Sequence, residues 1–319
     1  MNKIPLIIDT DPGVDDALAI IMLAASDKVK IRAITATHGN VGLEATSKNA
    51  LALKDFLDID CVVAKGANRP MIVELKNASA VHGANGMAGY ELPAPHSTFS
   101  HEAAWDVMYK LAKEENGEMV LMVLGPMTNV AIAILKYPDM KKYIKRIYMM
   151  GGSRSYGNHS QNAEFNIWGD PHACQVVLSS GIPITMADLI FGEDYPLNGK
   201  QLKRAYGGAK RLKGLMDALW AHEMSWIERA KERTGEDFDV DTFEFHIYDT
   251  TAAAALLLED CLVTEDYYVV CETQGSETQG QTVFDYKGYS GKAPNVSLAT
   301  QMDLGRYIQL LTDAIAHFE

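Results

Sequence analysis

The sequence predicts an α/β fold: a mostly parallel central sheet flanked by helices, with a C-terminal helical and hairpin elaboration. Three observations carry that expectation. Apolar, β-branched runs alternate with helical patterns through residues 1–190, and a βαβ rhythm makes a parallel sheet covered on both faces. The opening run, Ile4-Pro5-Leu6-Ile7-Ile8, stops at Asp9 and is followed by Pro12-Gly13 and an apolar helical pattern from Val14, which reads as buried strand, tight turn and helix. No Pro/Gly/Ser-rich linker divides the chain, so residues 1–319 are expected to form one domain.

The elements follow in order. Val14 to Ala25 reads as a helix, Ile31 to Thr37 as a strand, Glu44 to Leu57 as a helix and Cys61 to Ala64 as a short strand. Ser100 to Glu115 reads as a helix with Ser100 as its N-cap, Met119 to Leu124 as a strand and Thr128 to Lys136 as a helix. Arg146 to Met150 is strand-like, Pro171 to Ser179 helical and Pro183 to Met186 strand-like. Beyond these the pattern changes. Gly199 to Arg233 is long, helical and charge-rich, and Asp249 to Leu258 is an apolar helix. Val263 to Cys271 and Gln281 to Tyr286 read as strands, paired as a hairpin, before a closing helix from Met302 to Phe318.

Composition sets bounds. The chain has 319 residues, 47% of them apolar, enough for a large core. A net charge of -13 argues against a nucleic-acid or anionic-membrane surface. The apolar run before Asp9 is too short for a signal peptide, and no stretch approaches the roughly 20 apolar residues of a spanning helix. Cys61, Cys174, Cys261 and Cys271 lie far apart without a Cys-x-x-Cys, which is neither a zinc site nor a disulfide framework. A reducing cytoplasm is the expected location.

Asp9, Asp11, Asp15 and Asp16 fall within eight residues, at the end of a strand and the start of the next helix, where ligands bind in open α/β sheets. Four carboxylates so close repel one another unless a positive charge sits among them. Hard oxygen ligands point to calcium or magnesium. The EF-hand loop does not fit, because counting from Asp9 puts Val14 at its glycine and Ile20 at its glutamate. The plainer reading is a solvated turn with a helix cap, which needs one or two of the four.

Asp9-Thr10-Asp11-Pro12-Gly13-Val14-Asp15-Asp16-Ala17 closely resembles the N-terminal signature of the nucleoside hydrolases of the inosine-uridine preferring type. The resemblance implies a Rossmann-like core and hydrolysis of a ribonucleoside to ribose and free base in nucleoside salvage. It also implies a bound calcium ion, and a homodimer or homotetramer.

Later motifs fall in matching order. Asn40, in Thr37-His38-Gly39-Asn40, matches the family's Asn that orients the catalytic Asp; a turn Asn is the plainer reading. His82 lies in a loop with Gly83, Gly86 and Gly89, similar to the family's flexible lid with its His near the leaving base; most lone histidines are structural or merely exposed. In Leu124-Gly125-Pro126-Met127-Thr128-Asn129, a Gly-Pro break leaves the preceding carbonyl unpaired, and the resemblance makes the oxygen of Leu124 a metal ligand. An ordinary strand-to-helix turn is compatible with this. Met149-Met150-Gly151-Gly152, Asn158 and Ala163-Glu164-Phe165-Asn166 supply polar groups around an apolar ring, as a furanose requires. By resemblance, Met150, Asn158, Glu164, Phe165 and Asn166 hold the ribose. Asp170-Pro171 reads as a helix cap with Pro at N1.

Asp249, at the start of its apolar helix, either caps that helix or, by resemblance, binds the metal. Here the chain departs from the family, which has His just before that Asp as leaving-group acid; this chain has Tyr248, with an ordinary pKa near ~10. Tyr248, His82, His222, His246 or solvent are the candidates for that role. The implied scheme gives Asp11, Asp16, Leu124 and Asp249 to the calcium, Asp11 to the water's proton, and Asp15 to a ribose hydroxyl. Asp9 would orient Asp11 or nearby backbone. Trp168, Trp220 and Trp226 could stack on a base, although aromatics at helical spacing are more often core. Two rival readings remain open. One is a haloacid-dehalogenase-like magnesium phosphatase with Asp9 as nucleophile and Asp11 as acid/base, which Pro12-Gly13, Asp15-Asp16 and the lack of a clear downstream Lys partner oppose. The other is a nucleoside- or ribose-binding protein without catalysis.

Overall fold

The computed structural model describes residues 3–318. β1 (Ile4–Thr10) turns through Asp11-Pro12-Gly13 into α1 (Val14–Ala25), followed by β2 (Val29–Ala36), α2 (Leu43–Phe56) and β3 (Val62–Lys65). Then come α3 (Ser79–His82), α4 (Ala104–Glu114), β4 (Met119–Val123), α5 (Thr128–Lys136) and β5 (Ile144–Met150). They lead to α6 (Phe165–Gly169), α7 (Pro171–Leu178), β6 (Ile184–Ala187), α8 (Leu189–Glu193), β7 (Leu197–Asn198), α9 (Gly199–Gly207) and α10 (Lys213–Thr234). The chain closes with β8 (Glu244–Phe245), α11 (Tyr248–Leu257), β9 (Val263–Tyr267), β10 (Val269–Cys271), β11 (Thr282–Phe284), β12 (Val296–Gln301) and α12 (Leu304–His317).

The main sheet runs β3-β2-β1-β4-β5-β6-β12-β9. Its pairings are parallel except β9 against β12. The chain winds outward from β1 to β3 on one side, then returns to place β4 on the other. The strand order therefore reverses between β1 and β4, and a crevice opens beyond the carboxyl ends of these two strands. That crevice receives the Asp-rich turn after β1 and Leu124 after β4.

Period-two alternation divides the core between the two faces. In β1, Leu6 and Ile8 join the apolar cluster under α1, α11 and α12, while Ile7 joins the cluster under α4, α5 and α7. All three are fully buried. Each such side chain contributes about 1.5–3 kcal/mol of burial, so the strand that carries the carboxylates is firmly held. α1 is buried along most of its length, from Val14 to Leu23, because it lies between the sheet and helices α11 and α12.

Three expectations are corrected, and one strand went unread. The helical stretch from Gly199 to Arg233 is two helices. Asn198 caps α9, accepting from Gln201 N at 2.9 Å, and Gly207-Gly208 ends it, since adjacent glycines lose too much backbone freedom to continue a helix. Ser100 is not a helix cap: its hydroxyl accepts from Glu102 N at 3.0 Å in a local turn, and α4 starts at Ala104. The run Val263 to Cys271 splits at Tyr268, so that β9 joins the main sheet and only β10 pairs with β11 as a hairpin. Val296–Gln301, not recognised in the sequence, is an inner strand of the main sheet. Asp170 does cap α7, accepting from Ala173 N at 3.0 Å with Pro171 at the first helical turn. Among the described residues no helix is long and apolar enough to cross a membrane.

Candidate active site

The turn after β1 is built around Asp11 and Asp16, both fully buried. The backbone N–H of Asn40 donates to Asp11 Oδ2 at 2.6 Å. The Asn40 side-chain amide donates to the Asp11 carbonyl at 3.1 Å and to Asp16 Oδ2 at 2.9 Å. Asp16 also accepts from Gly13 N at 2.9 Å and from the Thr10 hydroxyl. Asp16 is thus fixed at the first turn of α1, where its charge suits the helix end. Asp11 Oδ1 and Asp15 Oδ1 are buried without a hydrogen-bond partner.

Glycine makes room for this cluster. A Cβ on Gly39 would lie 1.9 Å from Asp11 Oδ2, and one on Gly125 would lie 2.1 Å from Asp11 Oδ1. Asp249, from the first turn of α11, completes the group: Asp15, Asp16 and Asp249 each offer an oxygen, all within 4.8 Å of one another. Burial first, and then Asp16 and Asp15, push the Asp11 carboxyl well above the usual range. Burial, then Asp15, Asp16 and Asp11, do the same to Asp249. Orphaned buried oxygens, converging like charges and an all-oxygen donor set fit a hard divalent cation. Asp9 lies apart. Its Oδ1 accepts from Thr35 Oγ1 at 2.7 Å and Asn129 Nδ2 at 2.8 Å, and burial raises it to about 7. It ties β1 to β2 and α5 and does not bond Asp11.

The residues beyond β5 form the neighbouring wall. Glu164 caps α6: its Oε1 accepts from Asn166 N at 2.8 Å, and its Oε2 from Gly152 N at 2.9 Å and Ile167 N at 3.2 Å. Burial raises Glu164 to about 7 against the opposing pull of these N–H groups. Asn158 Oδ1 accepts from Phe165 N at 3.0 Å. The Asn166 amide donates to the carbonyl of Leu124 at 2.7 Å and to that of Met150 at 3.2 Å. The Leu124 carbonyl is therefore not unpaired, as the Gly-Pro break implied. It keeps a second lone pair, and Asn166 joins this oxygen to the wall beyond β5.

A cavity of about 590 Å³ gathers most of these groups, within the size range of small-molecule sites. Asn40, His82 and Leu124 line it, as do Met150, Asn158, Glu164, Phe165 and Asn166. Asp15, Tyr248 and Asp249 also face it, with Asp11 and Asp16 buried in the same turn. His82 Nδ1 is 3.4 Å from the N–H of Val14, which donates to it, and 3.8 Å from Asp15 Oδ1. Burial lowers its imidazole to about 4. Burial, then Glu193, push the Tyr248 phenol above its ordinary range, which makes it a weaker acid than free tyrosine. Its ring lies against Gly192, where a Cβ would sit 2.5 Å from Tyr248 Cδ1.

Of the three tryptophans considered, only Trp226 lines the cavity. Lys76 Nζ lies 3.9 Å over the ring of Trp168, and Lys203 Nζ lies 5.4 Å over that of Trp220. Sequence reasoning missed another part of the wall: Val14, Leu18, Tyr206, Leu219 and Glu223. One signal was present. Leu215, Leu219 and Glu223 recur every four residues on the buried face of α10, so a glutamate stands where the apolar stripe calls for another leucine.

The model of the inosine-uridine preferring nucleoside hydrolases matches residues 6–309. The chain belongs to that family. The pyrimidine-specific ribonucleoside hydrolase RihA of Enterobacter sp. (strain 638) is 35% identical, over 99% of this chain and 98% of its own. The non-specific ribonucleoside hydrolase RihC of Escherichia fergusonii is 32% identical, over 98% of this chain and 99% of its own. Among solved structures, the purine-preferring ribonucleoside hydrolase from Gardnerella vaginalis superposes with a TM-score of 0.86 at 28% identity, covering 98% of each chain. The chain is accordingly an enzyme, a hydrolase of N-glycosyl bonds. Neither the phosphatase reading nor the non-catalytic one is favoured.

Proposed function

We propose that this enzyme hydrolyses ribonucleosides to ribose and free base with calcium as its cofactor, in nucleoside salvage in the cytoplasm. Its substrate is a small-molecule ribonucleoside, without nucleic-acid or membrane partners, and the working unit is a homodimer or homotetramer. The observation that carries the site assignment is the pair of partnerless buried oxygens, Asp11 Oδ1 and Asp15 Oδ1, beside a cavity that Glu164 and Asn166 also line.

Asp11, Asp16, Asp249 and the Leu124 carbonyl would hold the ion. When bound, calcium supplies a Lewis acid that acidifies and orients a water. The residues do the rest. Asn40 holds Asp11 in place by the bonds described above, so that Oδ1 is free to take the water's proton as the water oxygen attacks the anomeric carbon. Asp15, Asn158, Glu164 and Asn166 grip the ribose hydroxyls, with Met150 and Phe165 against the apolar face of the ring. The oxocarbenium-like transition state is positive, and the carboxylates around it favour that charge over the neutral substrate. His82, on its glycine-rich lid, closes over the base side. The test is Asp11→Ala: turnover of ribonucleosides is expected to fall by about 10³-fold or more. Turnover within tenfold of the unaltered enzyme would remove Asp11 from the scheme.

A further inference from the structure

Glu223 is a buried carboxyl in the wall of the cavity with no hydrogen-bond partner among the described residues, 9% exposed. It stands on α10, inside an otherwise apolar surface made by Val14 and Leu18 of α1 and Leu219 of its own helix. Beside it Tyr206, from α9, presents a hydroxyl that is also buried and partnerless. A buried polar group left without a partner costs more stability than an apolar residue would. Two of them facing one cavity mark a surface made to meet a polar ligand.

Glu164, on the wall beyond β5, and Glu223, on α10, both feel the charge of Asp15, and all three line the same cavity. With a ribose at Asp15, Glu164 and Asn166, the wall made by Val14, Leu18, Leu219 and Glu223 is left for the base. This placement rests on the ribonucleoside reading above.

We infer that Glu223 is the acid that meets the departing base: as the C1′–N bond breaks, its carboxyl gives a proton to the base. The bonding pair goes to the base nitrogen, and the water oxygen forms the new bond to C1′. The proton that water gives up passes to Asp11 and on to solvent, and Glu223 is reprotonated from solvent. The base thus leaves neutral, which Tyr248, a weaker acid than free tyrosine, would not ensure at neutral pH.

Burial, and after it the charge of Asp15, raise Glu223 to about 8, so the group carries its proton at neutral pH, as a general acid must. Other titratable groups lining the cavity are Asp15 of α1, His82 of α3, Tyr206 of α9, His222, Arg229 and Arg233 of α10 itself, and Glu244, His246, Tyr248 and Asp249 from β8 to α11.

The experiment compares two kinds of leaving group on the calcium-loaded enzyme. Inosine and uridine need a proton on the base; 4-nitrophenyl β-ribofuranoside releases a stable anion and does not. For Glu223→Gln, kcat/KM is expected to fall about 10²–10⁴-fold on the nucleosides and to change only a few-fold on the nitrophenyl riboside, whose turnover also reports that the variant is folded. Equal loss on both substrates, or no loss on either, overturns the inference. The unaltered enzyme gives a second measurement that folding cannot confuse. Its kcat/KM should fall on the alkaline side of about pH 8 for nucleosides and stay level there for the nitrophenyl riboside. The same alkaline limb on both substrates, or on neither, overturns the role. An unaltered enzyme that cleaves no nucleoside at all refutes the hydrolase reading instead.

Discussion

Asn40 donates its backbone N–H to Asp11 Oδ2 at 2.6 Å and its side-chain amide to the Asp11 carbonyl at 3.1 Å. One residue in the loop after β2 thereby fixes both the carboxyl and the backbone of the residue assigned the water's proton. Asn40→Ala keeps the first bond and removes the second, along with the bond to Asp16. A loosening of this kind costs on the order of 10²-fold in turnover, so kcat is expected to fall by about that factor. KM should change little. Steady-state kinetics with a thermal melt separates this from simple unfolding, since the lost hydrogen bonds destabilise by only about 1–3 kcal/mol.

Gly125→Ala is expected to damage the site more than the fold. The added methyl would sit 2.1 Å from Asp11 Oδ1, and so must displace the carboxyl or the chain after β4. Calcium affinity and turnover should both fall by about 10²-fold or more, while the far-ultraviolet circular dichroism stays unchanged. Direct titration with calcium checks the first and ribose release the second.

Asn166 joins two walls, because its amide donates to the Leu124 and Met150 carbonyls. Asn166→Leu removes both bonds and a proposed ribose contact. Partners that orient a metal ligand typically control about 10–100-fold in metal affinity. Calcium binding should weaken by that factor and KM should rise. An Asn166→Leu variant with unchanged calcium affinity would detach Leu124 from the ion.

The buried carboxyls give a signed pH dependence of stability. Burial raises Asp9 from 3.8 to about 7, Glu164 from 4.5 to about 7 and Glu223 from 4.5 to about 8. Each folded-state value lies above the unfolded one, so between them the folded chain binds more protons and stability falls as pH rises. The chelated protein should therefore melt at progressively lower temperature from about pH 5 to pH 8. Calcium should restore more at pH 8 than at pH 5, because the ion competes with protons for the carboxyls of Asp11, Asp16 and Asp249, which are also raised. Melting curves at both pH values, with and without chelator, check both statements.

The sequence exposed the parts whose chemistry is local. A strand that ends in Asp9 and meets Pro12-Gly13 can only turn, and four carboxylates in so few residues need an explanation beyond a helix cap. Asn158, Glu164 and Asn166 stood out as polar groups around Phe165. What stayed hidden depended on distant packing. β12 is a short strand whose place between β6 and β9 comes from the sheet, and the break between α9 and α10 turned on two adjacent glycines within a charge-rich helical pattern. Asp9 looked like a neighbour of Asp11, but β1 ends at Thr10 and Asp11 lies in the turn, while the Asp9 carboxyl bonds Thr35, its register partner on β2, and Asn129 of α5. Glu223 was legible only as an exception to a four-residue apolar period, and that exception has meaning only once the cavity beside α10 is known.

The most direct measurement is ribose release from a panel of purine and pyrimidine ribonucleosides, made before chelation, after it, and again with calcium restored. Ribose from at least one nucleoside, lost with chelator and regained with calcium, is the expected result, and the panel names the preferred base. Release that is indifferent to chelation would contradict the calcium site at Asp11, Asp16, Leu124 and Asp249, and no release from any nucleoside would contradict the ribonucleoside hydrolase itself.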